Sequence, residues 1–81
     1  MFQERLVNGF LVRLTMVRAT LVVARDEWDH ELQRVAPVPD ALECELESHE
    51  GVRVRVTVDA FRGTEEAFRE AFHALAKYSP Q

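Results

Sequence analysis

The sequence predicts a small α+β protein, a two-layer sandwich in which a mostly antiparallel sheet carries two helices on one face. Three observations lead there: a pair of alternating apolar and charged runs from Leu42 to Asp59, a helical apolar stripe from Phe68 to Tyr78, and an acid-led segment with helical spacing from Asp26 to Val35. With 81 residues the chain suits a single domain, 1–81, and one that buries only about 60 to 65% of the surface of its unfolded chain. A core that small is commonly supplemented by disulfides, a metal or association with another chain. Cys44 is the only cysteine, so no intrachain disulfide forms and a partner chain is the expected supplement.

The hairpin carries the densest signal. Leu42, Cys44 and Leu46 alternate with Glu43, Glu45 and Glu47, and Val52, Val54, Val56 and Val58 alternate with Arg53, Arg55, Thr57 and Asp59. A period of two marks half-buried strands. His49, Glu50 and Gly51 form the turn, with Gly51 free to take a positive φ. That turn sets Glu47 and Glu45 opposite Arg53 and Arg55, each opposed pair contributing about 0.2 to 1 kcal/mol. A slip of one residue would turn the valines to solvent.

The last helix is expected to begin at Thr64 as N-cap, with Glu65 and Glu66 in the dipole-favoured first turn. Phe68, Ala71, Phe72, Leu75 and Tyr78 recur at three- and four-residue spacing, the apolar face of a helix lying on a sheet. Lys77 suits its end, and Pro80 stops it. Upstream, a shorter helix opening at Asp26 or Glu27 and running through Arg34 groups Trp28, Leu32 and Val35, until Pro37 and Pro39 end it. The Pro37–Asp40 stretch reads as a connector.

Two readings of residues 1–25 stand. Asn8-Gly9 is a two-residue hairpin signal, and the Thr and Val density from Leu11 to Val23 favours strand, giving a short strand, a turn and a long strand ending near Ala24. The complete order is then β-β-α-β-β-α. Against it, Phe2, Leu6, Phe10, Leu14, Val17 and Leu21 trace a helical stripe, at a cost of about 1 kcal/mol for Gly9 in its interior. Residues 1–15 are either an edge hairpin or an extension, since Met16 is a second candidate start.

The formal charge of −4 is unevenly spread. Residues 1–25 hold four arginines against Glu4, residues 26–50 hold nine acids against Arg34, and the remainder nearly balances. An acidic middle argues against broad phosphate-backbone binding, which requires clustered cations. The longest apolar run, Leu21 to Ala24, is far below the roughly 20 residues that cross a bilayer as a helix. Arg13 and Arg18 interrupt any signal-like stretch. A cytoplasmic location is expected, in keeping with one unpaired cysteine.

Candidate chemistry is sparse. Asp26 and His30, at i, i+4 on the expected helix, with Asp29 beside them, are the weak candidates for a metal site, although further ligands at recognisable spacing are missing. The ordinary reading is acid at a helix start. His49 and His73 read as turn and surface residues, and Cys44 as a small buried hydrophobe. Arg62-Gly63-Thr64 has a glycine ahead of a helix, yet lacks the remainder of a phosphate-loop pattern. Arg13 and Arg18, with Arg53 and Arg55, would make a basic sheet face for RNA, but the strands after Phe10 hold no aromatic for base stacking before Phe61.

From about Leu11 onward the expected order strand, helix, strand, strand, helix, with Arg62-Gly63-Thr64 ahead of the last helix, resembles the small dimerisation subunit of the KEOPS tRNA-modifying complex. The resemblance implies a three-stranded sheet packed on two helices and a dimerising role. It implies no site residues, because the Asn-Ser pair of that family is replaced here by Glu65 to Phe68. The function expected from all of this is a non-enzymatic protein-interaction or oligomerisation module without a cofactor, with Arg13, Arg18 and Trp28 as candidate interaction residues. An accessory RNA-binding or dimerisation subunit and a small metal-dependent enzyme are the alternatives.

Overall fold

The computed structural model describes residues 1–78, excluding the side chains of Val23, Ala24 and Tyr78. It contains β1 (Phe2–Val7), β2 (Phe10–Asp29), β3 (Arg34–Ser48), β4 (Arg53–Asp59) and α1 (Gly63–Tyr78). The strands form one antiparallel meander in the order β1-β2-β3-β4, and α1 lies across one face of it.

The two-helix sandwich is therefore corrected to a sheet with a single C-terminal helix. Where the first helix was expected, Asp26 to Asp29 end β2, His30 to Gln33 turn, and Arg34 opens β3. The physical reasons are local. Asp29 Oδ1 accepts the N–H groups of Glu31 (2.9 Å) and Leu32 (3.1 Å), closing an Asx-type turn. Gln33 then takes a left-handed φ of 56°, which a continuing helix excludes. Proline drives the residue before it towards extended backbone, so Pro37 and Pro39 favour strand at Ala36 and Val38 and the expected connector becomes part of β3. The apolar spacing of Trp28 and Val35 is satisfied by direct cross-strand pairing. With that helix gone, the order of elements behind the resemblance to the KEOPS subunit is gone too.

The N-terminal ambiguity resolves to strands. Asn8 (φ 50°) and Gly9 (φ 86°) turn β1 into β2 with both central residues at positive φ, the geometry a two-residue hairpin requires. The Asn8 amide also donates to the carbonyl of Ala76 at 3.3 Å, tying this turn to the last turn of α1, where carbonyls lack helical partners. β2 continues past Ala24 to Asp29, five residues beyond its expected end.

The β3–β4 hairpin has the expected register, Glu47 opposite Arg53 and Glu45 opposite Arg55. Its turn places Gly51 at φ 89°, and Ser48 Oγ accepts from the N–H groups of Glu50 and Val52 at 3.3 and 3.1 Å. α1 starts at Gly63, one residue ahead of the expected cap. Ala67, Phe68, Ala71 and Phe72 are buried on its inner face and Leu75 is partly so; Pro80 lies outside the described residues. These side chains meet Leu14, Leu42, Cys44, Leu46 and Val58 from the sheet to form the core.

The molecule is elongated, measuring 55 × 21 × 16 Å with a radius of gyration of 16.0 Å; about 12 Å is usual for this chain length. The excess is an arm. β1 covers β2 only as far as Met16, whose N–H donates to the Met1 carbonyl, and β4 covers β3 only from Ala41 onward. Beyond those points β2 and β3 run on as a two-stranded ribbon to the His30–Gln33 turn.

Phe68 is fully buried and Phe61 is 84% exposed, so the two phenylalanines test this core. Phe68→Ala is expected to cost about 3 to 5 kcal/mol and Phe61→Ala to fall within about 0.5 kcal/mol of the parent, both read from urea unfolding.

Candidate functional site

The face of the sheet opposite α1 is built from the outward residues of every strand in the body. Its centre is ionic. Arg53 bonds Glu45 at 2.9 Å and reaches Glu47 at 3.8 Å. The Arg53 hydrogen bond, reinforced by the charges of Arg53, Arg55 and Arg18, holds the Glu45 carboxyl below its usual range, against a smaller opposing effect of partial burial. The same bond raises the Arg53 guanidinium further. Arg18 stands opposite Glu45 on β2.

At the β1 edge this face becomes part apolar. Phe2, Leu6 and Leu11 are 53%, 74% and 60% exposed, with Leu6 directly opposite Leu11. Arg13 pairs with Glu4 at 3.3 Å and lies 4.5 Å from the centre of the Phe2 ring, a cation–π contact that occupies the ring face. Phe2 is thus an aromatic on this face, carried by β1 and so ahead of the strands that follow Phe10. Its signal was Phe2-x-Glu4-x-Leu6, an alternation legible once residues 1–7 are read as strand. The Arg13 N–H meets the Nδ1 of His49 at 3.3 Å, and the His49 N–H donates to the Arg13 carbonyl at 3.2 Å, so His49 links the central turn to β2.

The arm is the second candidate region. Trp28 faces Val35 across the ribbon, and the two are 53% and 60% exposed; Leu32 at the tip is 54% exposed and Leu21 at the base 59%. The arm leaves the body through register shifts between Val22 and Val23 and between Val23 and Arg25. Arg25 bridges this junction, 3.1 Å from Glu27 and 3.9 Å from Asp40 Oδ2. The other Asp40 oxygen, Oδ1, is buried with no hydrogen-bond partner.

The three weak metal candidates all fall on the arm. Asp26 lies in β2, Asp29 closes the turn and His30 begins it, so the helical i, i+4 alignment that suggested a site does not exist. Among the described residues no group of three or more His, Cys, Asp and Glu side chains converges. Arg13 and Arg18 sit in the body, and Trp28 near the arm's tip, so the candidate interaction residues are spread over two regions of the molecule. Cys44 is buried in the core, and burial pushes its thiol up, which disfavours the reactive thiolate.

On the helix side, a shallow groove between β1 and the start of α1 is lined by Gln3, Arg5, Arg62, Glu65, Glu66 and Arg69. Its charges are largely occupied: Arg69 grips both oxygens of Glu66 at 2.7 Å, and Arg5 lies over the Phe72 ring at 5.2 Å. No helix among the described residues is long and apolar enough to cross a membrane. The chain matches no protein-family model, no curated protein and no solved structure.

The Glu45–Arg53 pair makes stability depend on acid. A carboxyl held low in the folded state binds its proton later than in the unfolded chain, so its contribution is present above the ordinary value of 4.5 and is lost as pH falls below it. The thermal midpoint of the parent is expected to fall more steeply with acidification than that of Glu45→Gln, measured from pH 7 downward by circular dichroism; equal slopes would remove Glu45 from this role.

Proposed function

We propose that this protein is a non-enzymatic interaction module that associates with further copies of itself, and that the β2–β3 arm is where it does so. One observation carries the reading: the Trp28–Val35 pair stands exposed on a two-stranded ribbon that no helix or third strand among the described residues covers. An isolated two-stranded ribbon is marginal in water, and its unpaired backbone groups are ready partners for another strand. Exposed apolar residues grouped on such an element mark an interaction surface. The expectation from chain length points the same way, since a core supplied by one helix gains from a partner.

An accessory RNA-binding role gains Phe2 as an aromatic beside Arg13, which is the arrangement such a role calls for. Self-association is favoured over it because Arg13 is engaged by Glu4 and Phe2, and Arg53 by Glu45 and Glu47, and because the arm is rich in acid.

Trp28 is the only tryptophan, which gives the proposal a direct readout. Light scattering across a dilution series is expected to show a concentration-dependent mass, with Trp28 emission shifting to the blue as the mass rises. Trp28→Ser is expected to weaken association roughly tenfold or more, as loss of a buried interface tryptophan does. A mass fixed at one copy over the whole series would overturn the reading.

A further inference from the structure

We propose a second contact between copies, separate from the arm: β1 pairs antiparallel with β1 of another copy about a two-fold axis at Glu4, joining two body sheets edge to edge. It goes beyond the arm association and does not depend on it.

The body sheet has two edges, β4 and β1; beyond Met16 the free β2 edge belongs to the arm. On β4 the bonds from Ser48 N–H to the Val52 carbonyl and from Ala60 N–H to the Asp40 carbonyl fix the even-numbered residues as those bonded to β3. Arg53, Arg55, Thr57 and Asp59 therefore point their backbone groups outward. The Asp59 carbonyl is already taken, since it accepts the Arg62 N–H at 3.0 Å. A two-fold pairing of what remains sets Arg55 against Arg55 or Arg53 of the mate, and like charges directly opposed are destabilising.

The β1 edge has neither obstacle. The Met16 N–H bonds the Met1 carbonyl, so the odd-numbered residues of β1 are bonded to β2, and Phe2, Glu4 and Leu6 point their N–H and C=O groups outward. With Glu4 on the two-fold axis, Phe2 faces Leu6 of the mate, Glu4 faces Glu4, and Leu6 faces Phe2. Outward groups meet outward groups, and each pair exchanges two N–H···O bonds. Moving the axis to Gln3 sets Phe2 against Glu4, and moving it to Arg5 sets Arg5 against itself. The Glu4 register is thus the self-matching one that a two-fold interface demands.

Side chains follow the backbone. Directly opposed residues share a face, so both α1 helices lie on one side of the joined sheet. On the other face, Leu11, Leu6 and the Phe2 of the mate form one row across three strands, twice over, and all three are exposed in the single copy. On the helix face the exposed Met1 of the mate comes beside Val7. Arg13 holds each Glu4 carboxylate at 3.3 Å, so the row through the axis alternates Arg13, Glu4, Glu4, Arg13 and is neutral as a whole. Arg5 of the mate stands beside Gln3, at the mouth of the groove that Glu65 lines. Neither Arg5 nor Glu65 makes an ion pair among the described residues, which leaves opposite charges free to meet across the contact.

The test is cross-linking in the full chain, made in the Trp28→Ser background so that the arm contact is weakened. Glu4→Cys places two thiols on the axis with Cα atoms about 5.5 Å apart, inside the disulfide range of about 4.4 to 6.8 Å. Leu11→Cys, equally open to solvent, stands about 14 Å or more from its symmetry mate across three strand spacings. Cys44 is buried and does not compete. Under mild oxidation Glu4→Cys is expected to give a disulfide-linked dimer on non-reducing electrophoresis and Leu11→Cys to give little. Leu6→Lys, read by analytical ultracentrifugation in the same background, is expected to raise the dissociation constant roughly tenfold or more, because two symmetry-related contacts are lost together. Circular dichroism of each variant separates a lost contact from a lost fold. If Glu4→Cys links no faster than Leu11→Cys, or Leu6→Lys associates as its background does, the β1 pairing is overturned and the arm contact stands. If Trp28→Ser associates like the parent while Glu4→Cys links, the arm reading falls and the β1 pairing stands. A parent protein that is a single copy at every concentration would overturn both.

Discussion

One constraint shapes the molecule: a single helix has to cover a sheet whose central strands are far longer than it is. α1 has 16 residues, or about 24 Å at 1.5 Å per residue, whereas the 20 residues of β2 run along a molecule 55 Å long. Burial follows the helix. Leu14, Leu42, Cys44, Leu46 and Val58 lie under Phe68 and Phe72 and are buried, whereas Trp28, Leu32 and Val35 in the arm are more than half exposed. The division into a packed body and a bare ribbon is a consequence of that difference in length.

Within the body, charge performs what apolar burial leaves undone. The valines of β4 and the leucines of β3 decide which face is inward, and the Glu45–Arg53 bond fixes the other face against slippage by bringing a carboxylate and a guanidinium to 2.9 Å. The same neutralisation removes Arg53 from service to any polyanion. The Glu45–Arg53–Glu47 cluster therefore belongs to the framework, and attention moves to the apolar side chains left exposed at the β1 edge and along the arm.

The hairpin and the last helix were legible because each is covered by its neighbours, so a period of two from Leu42 to Val58 and a period near 3.6 from Phe68 to Leu75 express real burial. Register was legible for the same reason, since only one alignment buries the valines and opposes Glu47 to Arg53. The Asn8-Gly9 turn was legible from backbone chemistry alone. The segment Asp26 to Arg34 misled because its side chains answer to no core: Trp28, Leu32 and Val35 fit a helical stripe as well as a hairpin, and the acids that suit a helix start equally suit a turn closed by Asp29. The prolines that seemed to end a helix favour extension in the residues before them. The free β2 edge was hidden for a further reason, because it exists only through the shortness of β1, and the extent of pairing between two strands is a tertiary fact.

The two prolines of β3 leave the arm with unlike sides. Pro37 and Pro39 sit two residues apart in β3 and withhold two backbone donors from one side of the ribbon, whereas β2 holds no proline. A strand arriving from solvent finds a broken ladder there, so the prolines act as gatekeepers that keep a bare ribbon from recruiting chain after chain into a growing sheet.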